Sequence, residues 1–427
     1  MSQGDSSFNP PRGMRDFYPE DMAARNAVFT AWTAAATRFG FQQYDSCVVE
    51  SLDLLKRKSG EEIVDQIYTF LDKSGRELAL RPEMTPTLAR MVASHQGLLS
   101  FPLKWFTIAQ CFRYERMTKG RKREHYQLNL DIIGEPSVSA EAEVIATAVA
   151  ALANLGLTGN DYRVHFSSRA LLSLLLEKIG IPQEHHQQTF LALDKRGKIS
   201  DEDIAALLAA AGLDRENIDK IASLAEISTL DKVFEKVGES PAPCQQILKF
   251  TELLKAHGIN DIMVFDISVI RGLSYYTGIV FEAFDINRES RAIFGGGRYD
   301  NLLSDVGGSP ATGVGLGFGD VVITEILAEK GKLPANSQSS LTAIGFMEDA
   351  QLITAVSIAS AMRRKGTGID LATRFEKPKN FFSRTGKAGF KQAIYIGPDD
   401  IASGNVKIKD LATRTEQIVP IAQLTED

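Results

Sequence analysis

The sequence predicts an α+β protein: a strand-rich region interrupted by a long helical run, then a separate small α/β unit. Three observations carry this. Alternating strands punctuated by glycine lie on both sides of the middle of the chain, at 103–134 and again at 262–319. Between about Ser168 and Gly258 helical patterns dominate, broken by Gly-Ile-Pro at 180–182 and by Pro241-Ala-Pro243. After a linker at 331–340 rich in Pro, Asn, Ser and Lys, short strands and helices alternate. Strand runs and helix runs kept apart mark the α+β class. A chain of 427 residues has room for roughly two to four domains.

Composition narrows the function. No apolar run approaches the ~20 residues of a membrane span, and the opening MSQGDSSFNPPRG has no secretory apolar region. The three cysteines are far apart, with no CxxC, so neither a zinc site nor a disulfide framework is indicated. A reducing cytoplasm is the expected home. The net charge of -6 argues against a protein that coats nucleic acid indiscriminately, and leaves room for a local basic groove.

The elements follow in order. Residues 10–21 are turn-rich, and Asp21 is placed to cap a helix over 22–39, where Val28, Phe29, Trp32 and Ala36 recur at helical spacing. A turn and strand follow at 40–51. Strands at 66–71 and 77–80 are joined by the hairpin signal Asp72-Lys-Ser-Gly. In LRPEMTPTLARMV, Glu83 and Thr85 are two apart, and in extended chain they would point the same way. A carboxylate and a hydroxyl on one side suit an ammonium group; on the residues alone, a helix cap followed by an ordinary helix is the plainer reading.

The stretch 112–134, FRYERMTKGRKREHYQLNLDIIG, reads as strand, basic turn, strand. Between Arg113 and Glu124 it holds six basic residues and two acidic ones, a local reversal of the chain's sign, with Gly120 where the turn falls. Gln127, Asn129 and Asp131 alternate with Leu128, Leu130 and Ile132, so one strand face is polar and can floor a small polar pocket. The arginines could hold a polyphosphate by forked, charge-assisted hydrogen bonds, or simply wet a hairpin tip.

A helix over 141–155 stopped by Gly156 and a strand at 162–166 precede the helical run, whose His185-His186 pair reads as surface polarity. Strands return at 262–266, 269–284 and 292–303. At 313–327 a glycine-spaced strand passes into a helix. None of these is a P-loop or a G-x-G-x-x-G turn. Phosphates would therefore need side chains, which directs attention to Arg113, Arg121 and Arg271. In the last unit Arg374, Lys377, Lys379, Arg384, Lys387 and Lys391 interleave with Phe375, Phe381, Phe382 and Phe390, opposed only by Glu376. This fits a nucleic-acid surface or an ordinary helix with one core face and one wet face.

Taken together, PRGMRDFYPED, LRPEMT, motif 2 in FRYERMTKGRKREHYQLNLDIIG, RGLSYYTGIVFEA and GGGRYDNLL resemble, in this order and over nearly the whole chain, the histidyl-tRNA synthetase family of class II aminoacyl-tRNA synthetases. The resemblance implies an antiparallel catalytic sheet flanked by helices, with its first part at 1–168 and its second at 259–330. It implies a helical insertion at 169–258, a linker at 331–340, an α/β anticodon-binding domain at 341–427, and a homodimer. The implied reaction makes histidyl-adenylate from histidine and ATP with Mg²⁺, then passes the histidyl group to tRNA(His). No protein-held metal is implied.

The implied roles fall on matching positions. Arg113 and Arg271 would be catalytic, with Arg113, Arg121 and Glu115 on ATP. Glu83, Thr85 and Gln127 would hold the α-ammonium of histidine, Asp131 and Tyr276 its imidazole, and Tyr275 and Tyr299 would close the pocket. Arg116, Thr118, Lys379, Arg384 and Lys387 would meet tRNA. Three departures stand out. Cys47 replaces the usual motif 1 proline. Gly319-Asp320 replaces the usual Glu-Arg of motif 3, whose arginine lies against ATP. Met117-Thr118 and Asp131 replace Pro-Gln and Glu; Thr118 bears on whether the extra 5′ guanosine of the tRNA is read. Two other functions share parts of this pattern: a synthetase-like regulatory subunit of ATP phosphoribosyltransferase, and a tRNA-binding module without catalysis.

Overall fold

The computed structural model describes residues 8–58, 65–196, 199–224, 227–270, 275–333 and 340–426. The chain divides into two compact units, one of residues 1–16 and 25–333 and one of 17–24 and 334–427.

The first unit is built on one sheet. Its strands are β1 (Gln42–Gln43), β5 (Leu103–Phe112), β6 (Glu124–Ile133), β7 (Tyr162–Ser168), β8 (Met263–Phe265), β9 (Ile279–Asp285), β10 (Phe294–Arg298) and β11 (Gly313–Gly319). They lie in the order β1-β5-β6-β11-β10-β9-β7-β8. The pairs from β5 across to β7 are antiparallel; the outer pairs β1·β5 and β7·β8 are parallel. A smaller sheet, β2-β4-β3, holds β2 (Val49–Ser51), β3 (Thr69–Leu71) and β4 (Glu77–Leu80).

Alternation along these strands separates two faces. One carries Leu128, Leu130, Leu316, Phe318, Phe294 and Phe281, all buried in the main core. Each fully buried side chain of this size stabilises by about 1.5–3 kcal/mol. Helix Ser139–Asn154 and the later turns of helix Pro19–Arg38 cover this face, with the Trp32 ring 5.0 Å from that of Phe318. Arg298, at the end of β10, pairs with Glu141 at 2.6 and 2.7 Å and donates to the Glu135 and Ser137 carbonyls, fixing the helix start to the sheet. The other face carries the polar residues of β6.

Parallel neighbours need a crossover, and between β7 and β8 the helical run supplies it: Arg169–Lys178, His186–Leu193, Asp201–Ala210, Arg215–Ser223, Leu230–Val237 and Ala242–Ala256. Four of these helices start on a side chain that accepts from the backbone three residues on, those of Ser168, Ser200, Asp214 and Thr229. Two expectations from sequence need correction. His186 is buried, with Nε2 3.1 Å from the Ile181 carbonyl oxygen, so it is a core residue of this segment. The first helix starts at Pro19, and Asp21 accepts from the Tyr18 N–H at 3.2 Å from inside the first turn.

The second unit has a sheet of order β13-β12-β14-β15-β16, comprising β12 (Thr342–Phe346), β13 (Ile369–Leu371), β14 (Gln392–Ile396), β15 (Asn405–Asp410) and β16 (Glu416–Pro420). β12 runs parallel to both neighbours, and β15 and β16 add antiparallel. Helix Leu352–Arg364 packs on one side of its core, with Ile358 and Ala359 beside Ile344 and Ile394. Helix Pro378–Ala388 packs Phe381 against Ala343 and Ala393, and ends on Gly389 at φ +77°, a left-handed stop that glycine allows without strain.

Candidate active site

The polar face of the first unit's sheet has a floor without side chains. Register places Gly315 opposite Asp131, Gly317 opposite Asn129 and Gly319 opposite Gln127. On β10, Gly295 and Gly297 face Gly317 and Gly315. A Cβ at Gly315 would overlap Asp131 Oδ1, and one at Gly317 would overlap Gln127 Nε2. The strand GVGLGFG thus alternates core side chains, Val314, Leu316 and Phe318, with glycines that clear the opposite face.

At one end a cavity of about 450 Å³ opens, within the size range of ligand sites. Arg113, Glu115, Arg121, His125, Gln127 and Arg291 line it with the glycines of β10 and β11. The basic loop turns at Gly120, φ +72°, where the Arg121 N–H donates to the Thr118 carbonyl at 3.0 Å. Arg113 Nε donates to the Pro82 carbonyl at 2.9 Å, so that end of the guanidinium is fixed by LRPEMT. Buried Glu115 stands between the arginines, ion-paired to Arg121 and 3.9 Å from Arg113 Nη1. Burial, then the Arg113 charge, push the His125 imidazole down to about 3, so a flat neutral ring lines the wall.

At the other end sits Asp131, 1% exposed. Its Oδ1 accepts from Tyr299 Oη at 2.6 Å; its buried Oδ2 has no hydrogen-bond partner among the described residues. Burial raises its pKa to about 7, against the opposing Tyr299 hydrogen bond. A buried polar atom without a partner is costly. The Tyr275 ring lies 4.8 Å from Tyr276 and 6.1 Å from Tyr299, and Tyr275 Oη donates to Glu83 Oε2 at 3.2 Å. Buried Arg169 donates from Nη1 to the Tyr276 carbonyl at 3.0 Å and from Nε to that of Ile270 at 3.4 Å, bracing this stretch from behind.

Residues 13–321 match the family described as histidyl-tRNA synthetase, and residues 338–426 match an anticodon-binding domain. The chain belongs to the histidyl-tRNA synthetase family. A chloroplastic/mitochondrial histidine–tRNA ligase of Arabidopsis thaliana is 40% identical over 416 residues, covering 97% of this chain and 86% of that relative. A histidine–tRNA ligase of Opitutus terrae is 38% identical over 425 residues, 98% of this chain and 97% of its own. The solved histidyl-tRNA synthetase of Nostoc sp. PCC 7120 has the same fold, with a TM-score of 0.83 at 21% identity over 98% of each chain.

Arg113, Glu115, Arg121 and Gln127 meet at one cavity, and Glu83, Asp131, Tyr275, Tyr276 and Tyr299 form a connected group beside it. Arg271 lies outside the described residues. Glu83 and Thr85 are both buried, but not on a shared strand face: Met84 has helical angles, φ -98° and ψ -26°, and Thr85 opens helix Thr85–His95. Arg116 and Thr118 are exposed on the basic loop, and Lys379, Arg384 and Lys387 are exposed in the second unit. There the phenylalanines divide: Phe381 and Phe390 are core, Phe375 is exposed, and Arg384 is already paired with Glu376 at 2.6 Å.

Asp320, at the motif 3 arginine position, does not line the cavity. It is buried at the start of helix Asp320–Glu329, accepting from the Tyr126 N–H at 2.9 Å and from Arg15 Nη2 at 3.0 Å; burial raises its pKa. Arg15 also holds Glu124 at 2.8 Å, so PRGMR clamps the back of β6. Sequence reasoning missed Tyr44, half-buried against Trp105; its buried hydroxyl has no hydrogen-bond partner among the described residues. Its pKa is raised by burial and then by Asp131. It also missed Arg291 and His125. The position of His125, two residues before Gln127 on the same strand face, was the available signal. Among the described residues no cluster of His, Cys, Asp or Glu could hold a metal, and no helix is long and apolar enough to cross a membrane.

Proposed function

We propose that the chain joins histidine to tRNA(His) in two steps in this cavity. The observation that carries the reading is the pairing of two unlike ends on one glycine-cleared face: arginines around a nucleotide-sized space, and buried Asp131 Oδ2 beside Tyr299. ATP enters as its Mg²⁺ complex. A histidine carboxylate oxygen attacks the α-phosphorus and the bond to pyrophosphate breaks, leaving histidyl-adenylate. A tRNA 3′-terminal hydroxyl then attacks the acyl carbon and releases AMP. The first nucleophile is already ionised, so catalysis is positioning and neutralisation of phosphate charge.

Arg113 holds the α-phosphate and Arg121 the β- and γ-phosphates, oriented by Glu115, with His125 a surface for the base. Arg271 completes the charge at the α-phosphate by analogy with the family alone. Glu83, Thr85 and Gln127 hold the α-ammonium, Asp131 and Tyr276 the imidazole, and Tyr275 and Tyr299 close the pocket. Such fixed polar partners reject analogues lacking the ring nitrogens by up to about 10⁴–10⁵. The tRNA meets the exposed Arg116 and Thr118 at its acceptor end, and Lys379, Lys387 and, less freely, Arg384 at its anticodon end.

The segment 169–258 acts as an insertion domain between catalytic parts 1–168 and 259–330; beyond the linker 331–340, residues 341–427 form the anticodon-binding domain. The protein works as a cytoplasmic homodimer. Exposed Val48, Val49, Phe70 and Leu71 on the small sheet favour an apolar partner surface there. A regulatory paralogue would have no need of the arginine-lined cavity. The test is ATP–pyrophosphate exchange with each amino acid in turn. Histidine alone should support it, and Arg113→Ala should lower it roughly 10²–10³-fold. Exchange driven by another amino acid, or none with histidine, overturns the reading.

A further inference from the structure

Among the described residues, Arg291 lines the nucleotide cavity but belongs to no quoted motif. It sits just before β10, whose residues Phe294 and Gly295 also form the cavity wall. Its stem runs beside the turn of the basic loop: a Cβ at Gly120 would lie 3.5 Å from Arg291 Cγ and 3.6 Å from its Cδ. Arg291 therefore packs against the Gly120 turn, one residue from Arg121, and both side chains line the same cavity. Arg113 is anchored through Nε on the Pro82 carbonyl and Arg121 is ion-paired to Glu115, so both are held at the cavity wall. Asp320 cannot help: its carboxylate is committed to Arg15 and Tyr126 behind the sheet. A triphosphate drawn from water needs cations on more than one side, and a guanidinium forks onto phosphate oxygens well.

We propose that Arg291 is an ATP-binding residue, its guanidinium holding the phosphate end of the nucleotide beside Arg121. This rests on the ligase reading for its place in the reaction, but not for its binding test. The experiment measures equilibrium affinity of the full chain for Mg-ATP and, separately, for adenosine, in wild type, Arg291→Ala and Arg291→Lys. Thermal melting serves as the fold control.

Arg291→Ala should weaken Mg-ATP about 10–100-fold, leave adenosine within about twofold, and be partly restored in Arg291→Lys. In exchange assays the ATP KM should rise by a similar factor while the histidine KM stays within about twofold. Unchanged Mg-ATP affinity, or equal loss of ATP and adenosine, overturns the proposal. If wild type binds Mg-ATP through Arg291 yet supports no histidine-dependent exchange, Arg291 stands and the ligase reading fails.

Discussion

At the residue scale, the proposed amino-acid end turns on Asp131. Burial holds its proton until about pH 7 in the free chain. Because this carboxyl is raised in the folded state, its stability contribution is present below about pH 4 and is lost as pH rises through 7. A bound imidazole N–H would give the buried charge a partner. Histidine's own ring takes a proton near ~6.5, and the complex has room for at most one proton between ring and carboxyl. Below about pH 6 binding must release a proton, so the histidine KM should rise by up to about tenfold per pH unit. From pH 7 to 8 it should stay flat. Asp131→Asn should raise the KM at pH 7.5 and flatten the acid side; an acid-side rise unchanged in that variant contradicts the pairing. Exchange kinetics across pH measure both.

At the element scale, the site is a property of strand register. The alternation of Gln127, Asn129 and Asp131 is legible from sequence because period two needs only one strand. The purpose of Gly315 and Gly317 is not, since it depends on which strand pairs with β6. The extended-chain spacing of Glu83 and Thr85 fails at Met84, where the chain turns into a helix with Pro86 in its first turn; their shared role rests on the family resemblance. Arg169 could not be foreseen either, because its partners Ile270 and Tyr276 lie across the helical run. Arg169→Met keeps the bulk but leaves two carbonyls without their donor, a cost of about 1–3 kcal/mol each. The expected outcome is a lower melting temperature and a histidine KM raised about tenfold, with the ATP KM within about twofold. A shift in stability with both KM values unmoved would make Arg169 structural only.

At the scale of the whole molecule, segments distant in sequence, at 83–85, 113–131, 275–299 and 313–319, meet over one face of one sheet. The order of motifs makes this legible, since LRPEMT and the Tyr275-Tyr276 stretch are intact and motif 2 keeps Arg113, Arg121 and Gln127 despite its departures at Met117, Thr118 and Asp131. The departure at Asp320 is legible as a change of charge, but its pairing with Arg15, 305 residues away, depends on the packing. The second unit was legible as α/β, while the division of its phenylalanines between core and surface required the packing. The most direct measurement is a structure of the chain with histidyl-adenylate or a non-hydrolysable analogue bound. The imidazole N–H is expected at hydrogen-bonding distance from Asp131 Oδ2, with the α-phosphate on Arg113. An imidazole seated away from Asp131 and Tyr299, or a phosphate remote from Arg113, contradicts the assignment.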